Sequence, residues 1–396
     1  MTPLIGSASP PEGWLRALAG AGAWIVPDFV FDGQHLKSGH AVLLKNGRTR
    51  VVKAAAVLAE NGPDLSVWRT QGIISPGFFD IQVNGGGGVL FNTSPSVRGI
   101  RAIALAHRST GTTRLLPTVI TDHPEIMENA SVAIAEAAGQ DGVMGIHIEG
   151  PHISAARRGT HASQHIRALD AQTLGVIARL RARDTPVMIT LAPEAVAPGQ
   201  IAALVDQGVI VALGHSDASA AQTRAALHEG AQSFTHLFNA MSQMQNREAG
   251  VTGAAINSSA YCSIIADGIH VAPEMVALAI RARPVEDRMI IVSDAMPTVA
   301  GPESFELYGK VIRLRDGRLI NDEGALAGAH VTMAQSVKFL VTDLGLDPQT
   351  VLRMAISNPA RLMRLEAQVR LEGMAQADVV LISGDWSSVK FVVAGG

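Results

Sequence analysis

The sequence predicts an α/β protein: a (β/α)8 barrel of the TIM type, with a small β-sandwich domain formed from its N- and C-terminal segments. Three observations support this prediction. Eight short apolar runs with few charges follow one another along the chain, helical patterns lie between most of them, and the two ends carry separate β-like pieces. Strands buried on both faces of a parallel sheet have this composition, and strands that alternate with helices predict a parallel barrel.

The eight apolar runs are rich in Val, Ile, Leu or Thr and have the length of strands. They cover residues 73–81, 113–120, 143–149, 186–191, 209–215, 233–238, 261–266 and 288–294. The clearest helical patterns cover residues 95–108, 123–138, 170–183, 200–207, 219–229 and 273–283. A doubly wound open sheet is the alternative. No G-x-G-x-x-G motif follows the first run, which weakens a dinucleotide-binding version of that sheet.

The two ends of the chain predict a second, smaller domain. Short β-like pieces lie at 23–26, 41–44 and 51–57, and again at 378–382 and 389–393. We therefore predict a small β domain made from residues 1–72 and 363–396. The barrel, residues 73–362, is inserted between its two parts.

Composition excludes several classes of function. The chain carries 32 basic and 35 acidic residues, and its formal net charge of −3 gives no electrostatic reason to expect a nucleic acid or an anionic membrane as partner. The single cysteine, Cys262, cannot form an intramolecular disulfide or a thiolate zinc cage. No signal peptide or membrane span is predicted, and the cytoplasm is the expected location.

Polar side chains stand where several of the apolar runs end. Glu149 ends the third run, His215 ends the fifth, His236 lies within the sixth, and Asp294 ends the eighth. The carboxyl ends of barrel strands form one face, and functional residues lie there. Any one of these residues alone is more often a hydrogen-bonded structural residue or a helix cap. The presence of all four residues at the ends of such runs is much less easily explained by coincidence.

These residue types point to metal-assisted chemistry. Two histidines and a carboxylate with an open position are a common ligand set of catalytic zinc. A further carboxylate nearby can move protons, and Asp294 is the candidate because its strand end faces the same mouth. The seventh run leads to Asp267 and His270.

Several short motifs surround these residues. They lie at 76–80 (PGFFD), 147–151 (HIEGP), 159–161 (GTH), 213–216 (LGHS), 235–241 (THLFNAM), 266–270 (ADGIH), 292–295 (VSDA), 326–328 (LAG) and 357–360 (SNPA). Together they resemble the amidohydrolase superfamily, and in particular its N-acetylglucosamine-6-phosphate deacetylase branch. The resemblance runs from about residue 72 to residue 362, and the Asn-Ala-Met after His236, together with Arg247, is specific to this branch.

The first barrel strand carries an informative substitution. Most members of the superfamily have a metal-binding His-x-His there, and this sequence has Gln82-Val83-Asn84. The substitution is similar to that of the single-metal deacetylases, and carboxamides are weak zinc ligands compared with imidazole. The resemblance therefore implies one divalent metal ion, zinc, instead of two.

The resemblance also implies roles for individual residues. Glu149, His215 and His236 hold the metal. Asp294 takes a proton from the attacking water and passes it to the departing amine, and His161 polarises the N-acetyl carbonyl. The implied substrate-binding residues are Thr160, His161, Asn239, Ala240, Arg247, Asp267, His270, Leu326, Ala327 and Gly328.

The implied reaction is hydrolysis of the N-acetyl group of N-acetylglucosamine 6-phosphate to glucosamine 6-phosphate and acetate, in amino-sugar catabolism. Arg247 is expected to pair with the phosphate because its guanidinium fork suits such oxyanions. In the family this arginine can come from the neighbouring subunit, so the resemblance implies a homodimer.

Three alternatives remain open. The galactosamine isomer differs from the glucosamine compound only in the configuration at one hydroxyl. Another amidohydrolase could act on a different amide, although Gln82 and Asn84 argue against a two-metal site. A non-catalytic binding or scaffold barrel is expected to have lost a metal ligand or the base, and all four core residues are present here. The resemblance assigns no role to residues 304–321.

Overall fold

An eight-stranded parallel sheet forms the centre of the molecule, and its strands are hydrogen-bonded to one another in chain order. The computed structural model describes residues 22–60, 66–321, 324 and 326–392. The barrel strands are Phe78–Val83, Thr112–Ile120, Ile146–Glu149, Val187–Leu191, Ile210–Leu213, Ser233–Phe234, Tyr261–Ile265 and Met289–Val292. Every residue of these strands is buried, as expected of a parallel sheet covered on both faces.

The first and last strands close this sheet into a barrel. The N–H of Asp294 donates to the carbonyl of Gln82 at 3.0 Å, and Val83 forms a parallel bridge with Ala295. Helices connect successive strands at Val97–Arg108, Pro124–Ala137, Ala171–Arg181, Gln200–Asp206, Ala220–His228, Gly250–Ile256 and Pro273–Arg281. Helical segments follow the last strand at Met333–Lys338, Phe339–Asp343, Pro348–Leu352, Arg353–Ser357 and Asn358–Leu362. The predicted (β/α)8 barrel is confirmed.

Two antiparallel or mixed sheets make the small β-sandwich. One contains Ala23–Val26, His40–Lys45, Arg48–Lys53 and Ser66–Arg69, and the other contains Phe29–Phe31, Leu36–Ser38, Ile73–Pro76, Val379–Ile382 and Val389–Phe391. Ile25 and Val42 of the first sheet share an apolar core with Ile74 and Val379 of the second. Both ends of the chain therefore contribute to this unit. The boundaries at residues 72 and 362 stay a prediction, and residues 1–21 and 393–396 lie outside the described residues.

Three predicted strands differ from the observed ones. The run 73–81 is two strands in different sheets, because the chain passes at Gly77 from the small sandwich to the barrel. The run 51–57 leaves its strand at Lys53 and continues as the helix Ala54–Glu60. The run 233–238 is a strand only at Ser233–Phe234, since the backbone beyond it turns. Apolar composition alone did not reveal these changes of direction.

A further sheet, which the sequence did not predict, lies at the barrel mouth. Its four antiparallel strands are Ser304–Leu307, Lys310–Arg315, Arg318–Ile320 and Leu326–Ala329. Its buried side chains Leu307, Ile312 and Leu319 share an apolar cluster with Ile120 and Met296. Ile120 ends the second barrel strand and Met296 follows the eighth, so this mouth sheet (304–329) covers part of the face that carries the strand ends.

The remaining elements are short. A two-stranded piece pairs Gly85–Gly86 with Val89–Leu90, and 3₁₀ turns lie at Ala155–Arg157, Ser163–His165, Pro193–Ala195, Glu366–Val369 and Gln376–Asp378. Among the helices of the described residues, none has the length and apolar character needed to cross a membrane.

Gly77 is the position where a side chain would most directly disturb the junction between sandwich and barrel. A Cβ at Gly77 would lie 2.2 Å from Cγ2 of the buried Thr113, whereas a Cβ at Gly384 would meet nothing within 4 Å. We expect Gly77→Ala to lower the free energy of unfolding by about 1–3 kcal/mol through overpacking. Urea and thermal unfolding will measure this.

Gly384→Ala is the matched control for that measurement, and we expect it to change stability by no more than about 0.5 kcal/mol. Equal stabilities of the two variants would contradict the close packing at Gly77.

Candidate active site

Three buried side chains from different strands meet at the carboxyl end of the barrel. Glu149 ends the third strand, and His215 and His236 follow the fifth and sixth. The Nε2 atoms of the two histidines lie 3.0 Å apart, and Oε1 of Glu149 lies 3.3 Å from that of His215 and 3.0 Å from that of His236. The second ring nitrogen of His215, Nδ1, lies 3.0 Å from the carbonyl of Arg157, which fixes the orientation of the ring.

These three atoms have the spacing of metal ligands. Ligands about 2.0–2.1 Å from a tetrahedral zinc ion lie roughly 3.3 Å from one another. Within the described part of the chain, this is the one group of three His, Cys, Asp or Glu residues whose ligand atoms all lie within 4.8 Å. Burial raises the pKa of Glu149, but hydrogen bonds from His215 and His236 outweigh burial, and the pKa lies well below its usual value. The carboxylate is therefore ionised, as a ligand must be.

Unusual backbone conformations aim the side chains at the cavity. The φ angles of His215, His236 and Asp294 are 47°, 34° and 51°, in the left-handed region that residues other than glycine rarely adopt. Each of them is the second residue after the end of a barrel strand. Backbone strain of this kind is often found at functional sites, where the surrounding structure holds it in place.

Asp294 is held by two carboxamides of the first barrel strand. Its Oδ1 accepts hydrogen bonds from Nδ2 of Asn84 at 2.6 Å and from Nε2 of Gln82 at 3.2 Å. The same Gln82 amide also donates to Oε1 of Glu149 at 2.9 Å. Burial, and then the charge of Glu149, raise the pKa of Asp294 to about 6. A carboxylate with such a pKa can accept and return a proton near neutral pH.

His161 lies beside His215. Its ring centroid is 4.4 Å from that of His215, and its Nδ1 is 2.7 Å from Oγ1 of Thr121. Burial, and then the nearby His215, lower the pKa of His161 to about 3. The ring is therefore neutral and can act as a hydrogen-bond donor without carrying a charge.

A cavity of about 170 Å³ lies between these groups. The predicted site residues that line it are Glu149, Thr160, His161, His215, His236, Asn239, Ala240, His270, Asp294, Leu326 and Gly328. Asn84, Ile120, Gly159, Ile265 and Met296 line it as well. Most of the predicted site is therefore brought together around one cavity.

Three predicted substrate-binding residues lie outside the cavity lining. Asp267 stands behind His270, and its Oδ2 accepts a hydrogen bond from Nδ1 of His270 at 2.6 Å. Ala327 is buried in the apolar cluster beneath the mouth sheet. Arg247 is exposed on the loop that follows the sixth strand. Asp267 is thus connected to the cavity through His270, and Arg247 is not among the residues that line the cavity of its own chain.

The sequence left two features of the site unrecognised. Gln82 and Asn84 were interpreted only as weak ligands, whereas the structure shows them as donors to Asp294 and Glu149. Thr121 received no role, although it directly follows the second strand and contacts His161. The rule that selected the other strand ends also selects Thr121, so that signal was present in the sequence.

Two larger cavities elsewhere in the described part of the molecule do not bring such a group of polar side chains together. A cavity of about 700 Å³ lies between the small sandwich and the last helices, lined by residues such as Lys53 and Arg370. A cleft of about 720 Å³ lies beside the mouth sheet, next to His123 and His165. Neither contains the described group of metal-ligand atoms, so the smaller cavity at the strand ends is the candidate active site.

Comparison with known proteins identifies a family and several similar enzymes. The sequence pattern of the amidohydrolase family matches residues 73–396. The chain is 40% identical over 332 residues to an N-acetylgalactosamine-6-phosphate deacetylase of Shewanella sp. (strain ANA-3), covering 82% of this chain and 83% of that one. It is 31% identical over 329 residues to the N-acetylglucosamine-6-phosphate deacetylase of Haemophilus influenzae, covering 81% and 85%.

A solved structure is similar over almost its full length. The crystal structure of N-acetylglucosamine-6-phosphate deacetylase from Pasteurella multocida superimposes with a TM-score of 0.83 at 30% sequence identity. The match covers 93% of this chain and 97% of that one. The likeness therefore extends beyond the barrel to the segments that form the small sandwich.

The metal cluster makes a direct prediction. His236→Ala removes one of the three candidate ligands, and we expect its metal content after dialysis to fall well below that of the unmodified protein. Inductively coupled plasma mass spectrometry measures this content, and circular dichroism checks that the variant is folded.

The exposed His123 serves as the control, because it stands outside the cluster. His123→Ala should retain the metal content of the unmodified protein. Unchanged metal content in His236→Ala would remove His236 from the ligand set.

Proposed function

The chain belongs to the amidohydrolase family, and we propose that it hydrolyses the N-acetyl group of N-acetylglucosamine 6-phosphate, releasing acetate and glucosamine 6-phosphate. One observation carries the proposal: three metal-ligand atoms, one carboxyl group and one neutral histidine surround a single small cavity. Its relatives of the deacetylase branch act on amino-sugar phosphates, as their names state. Such an activity belongs to amino-sugar catabolism.

We propose that Glu149, His215 and His236 hold one zinc ion. One carboxylate oxygen and two imidazole nitrogens suit zinc, and a site with three protein ligands keeps a position open. The carboxamides of Gln82 and Asn84 already donate to carboxylates, which supports one ion instead of two. When bound, the ion lowers the pKa of a water molecule and polarises the substrate carbonyl.

The chain's own groups supply the proton transfers. Asp294 accepts a proton from the attacking water and then delivers it to the departing amine nitrogen. The amides of Asn84 and Gln82 hold its Oδ1, so the carboxylate keeps one orientation through both steps. His161 donates a hydrogen bond to the carbonyl oxygen, where negative charge develops. The carbon–nitrogen bond breaks as the amine gains its proton, and acetate carries the new oxygen.

The sugar phosphate is bound by the rest of the cavity. Leu326 and Gly328 of the mouth sheet line it on one side, and Thr160, Asn239 and Ala240 line it from the barrel loops. His270, held by Asp267, faces the same space and contacts the phosphate end in our proposal. Ala327, predicted as a substrate-binding residue, does not line the cavity, and in our proposal it holds its neighbours Leu326 and Gly328 in place.

Arg247 is proposed to reach the phosphate from the neighbouring subunit of a homodimer. It is exposed and does not line the cavity of its own chain, which supports a contact made from a second subunit. A phosphate with two negative charges needs a cationic partner in a site whose other acids are Glu149 and Asp294. Because a sugar phosphate does not cross a membrane unaided, we propose the cytoplasm as the location.

The galactosamine compound is a second candidate substrate. The observation that favours it is the 40% identity to the Shewanella N-acetylgalactosamine-6-phosphate deacetylase, against 31% to the Haemophilus N-acetylglucosamine-6-phosphate deacetylase. The two sugars present the same acetamide and the same phosphate, so the metal cluster, Asp294 and His161 serve either one. Only contacts to a single hydroxyl distinguish them.

Acetate release tests the proposal and separates the candidates. The zinc-loaded protein is assayed with N-acetylglucosamine 6-phosphate, N-acetylgalactosamine 6-phosphate and unphosphorylated N-acetylglucosamine. We expect turnover of the first two compounds and a much lower kcat/KM for the third, because it lacks the phosphate contacts. Equal kcat/KM with and without phosphate would remove the phosphate site, and no turnover of any compound would remove the deacetylase assignment.

Asp294→Asn tests the proton-transfer role. We expect the variant to keep its metal and lose about 100- to 10,000-fold in kcat, the range of a lost general acid–base group. With a pKa raised to about 6 by burial and Glu149, Asp294 is ionised above that pH and protonated below it. A bound cation lowers the value further. The activity of the unmodified protein should therefore be present at neutral pH and be lost as the pH falls through 6 or below.

Asp141 pairs with Arg101 on the surface and is the control position. Asp141→Asn should have the kcat and the pH profile of the unmodified protein. If Asp294→Asn turned over at nearly the unmodified rate, Asp294 would not be the proton carrier.

A further inference from the structure

Thr121 directly follows the second barrel strand and contacts His161, and neither side chain is accessible from the surface. Their relative exposures are 1% and 3%. Oγ1 of Thr121 lies 2.7 Å from Nδ1 of His161, the distance of a strong hydrogen bond. Thr121 does not line the cavity, so any effect on substrate has to act through His161.

The direction of this hydrogen bond decides whether the other ring nitrogen of His161, Nε2, is a hydrogen-bond donor or an acceptor. A neutral imidazole has one N–H donor and one acceptor nitrogen. If Thr121 donates to Nδ1, the ring hydrogen sits on Nε2, the nitrogen left for the cavity. If Thr121 accepts from Nδ1, then Nε2 carries a lone pair, which repels a carbonyl oxygen.

The acceptors around Thr121 favour donation to His161. Its hydroxyl has one hydrogen, and its partners among the described residues are Nδ1 of His161 at 2.7 Å and the carbonyl of Glu149 at 3.5 Å. A hydrogen bond at 3.5 Å is at the outer limit, whereas 2.7 Å is close to the optimum for a hydroxyl donor. The hydroxyl therefore makes the shorter of its two hydrogen bonds when it donates to the ring.

We propose that Thr121 is a positioning residue that fixes His161 as the tautomer with its hydrogen on Nε2. This inference rests on the proposed function, in which His161 donates to the carbonyl oxygen of the acetamide. The other ring hydrogen position would place a lone pair against that oxygen. Thr121 thus acts on the reaction without touching the substrate.

Two neighbours hold Thr121 in place for this task. Gly150 has a φ of 78°, and a Cβ there would lie 2.2 Å from Oγ1 of Thr121, so only glycine leaves room for the hydroxyl. The hydroxyl of Tyr308, from the mouth sheet, donates to the main-chain carbonyl of Thr121. Residues 304–321, to which the resemblance assigned no role, are thereby connected to His161 through Thr121.

The test compares Thr121→Val, which keeps the shape and removes the hydroxyl, with Thr121→Ser, which keeps the hydroxyl. Thr173→Val is the matched control, because the buried Thr173 hydroxyl bonds Nε2 of the buried His152 at 3.0 Å away from the cavity lining. Each zinc-loaded variant is assayed for acetate release and labelled with ¹⁵N-histidine. Long-range proton–nitrogen NMR then reads the tautomer of His161, whose signals are identified by their absence in His161→Gln.

We expect the unmodified protein, Thr121→Ser and Thr173→Val to show hydrogen on Nε2 of His161. Thr121→Val should lose this preference and about 10- to 100-fold in kcat, the usual effect of losing a group that orients a catalytic residue. Its KM should change little. A purely structural role would lower the unfolding temperature of Thr121→Val and Thr173→Val alike and leave the tautomer unchanged.

Two results would overturn the inference: an unchanged tautomer in Thr121→Val, or an unchanged kcat in that variant with an active unmodified protein. The NMR reading also separates this inference from the proposed function. If the unmodified protein released no acetate from either sugar phosphate, the proposed function would fail, and the tautomer of Thr121→Val would still decide whether Thr121 controls His161.

Discussion

Closure of the barrel is the constraint on which the rest of the site depends. The hydrogen bond from the Asp294 N–H to the Gln82 carbonyl joins the last strand to the first and fixes where both side chains stand. Asp294 and Gln82 are separated by 212 positions in the chain, yet their side chains are 3.2 Å apart. Because all eight strands are parallel, their carboxyl ends share one face, and the polar residues that follow them converge there.

Burial of this many titratable groups is costly unless each finds a partner. Glu149 is stabilised as a carboxylate by two histidines and one carboxamide, and Asp294 by two carboxamides. The side-chain amide oxygens, Oε1 of Gln82 and Oδ1 of Asn84, have no hydrogen-bond partner among the described residues, so the site is not fully satisfied by the protein alone. A divalent cation at the ligand triangle would offset part of the cost, because its charge favours the ionised carboxylates. Positive φ angles at three of these residues add strain that the barrel has to hold.

The additions to the barrel have different relations to the cavity. The small sandwich joins both ends of the chain and packs its own core, in which Ile25 and Val379 take part. The mouth sheet instead contributes Leu326 and Gly328 to the cavity lining and reaches Thr121 through Tyr308. Ala329 also donates its N–H to the carbonyl of Asp294 at 3.1 Å. Asp294 is therefore hydrogen-bonded directly to the mouth sheet, and His161 is connected to it through Thr121. Both are assigned to the reaction, yet this sheet is not part of the barrel.

The sequence by itself determined the fold class and grouped four of the cavity residues, and the family resemblance supplied most of the others. Apolar runs separated by helices predict a parallel barrel, and polar residues at the ends of such runs meet at one face of it, so Glu149, His215, His236 and Asp294 could be grouped without coordinates. The tertiary structure alone decided the break at Gly77, the mouth sheet, the place of Asp267 behind His270, and the donor roles of Gln82 and Asn84. These four features depend on contacts between residues far apart in the chain and on the backbone angles after each strand. Local composition and periodicity predict neither the contacts nor the angles.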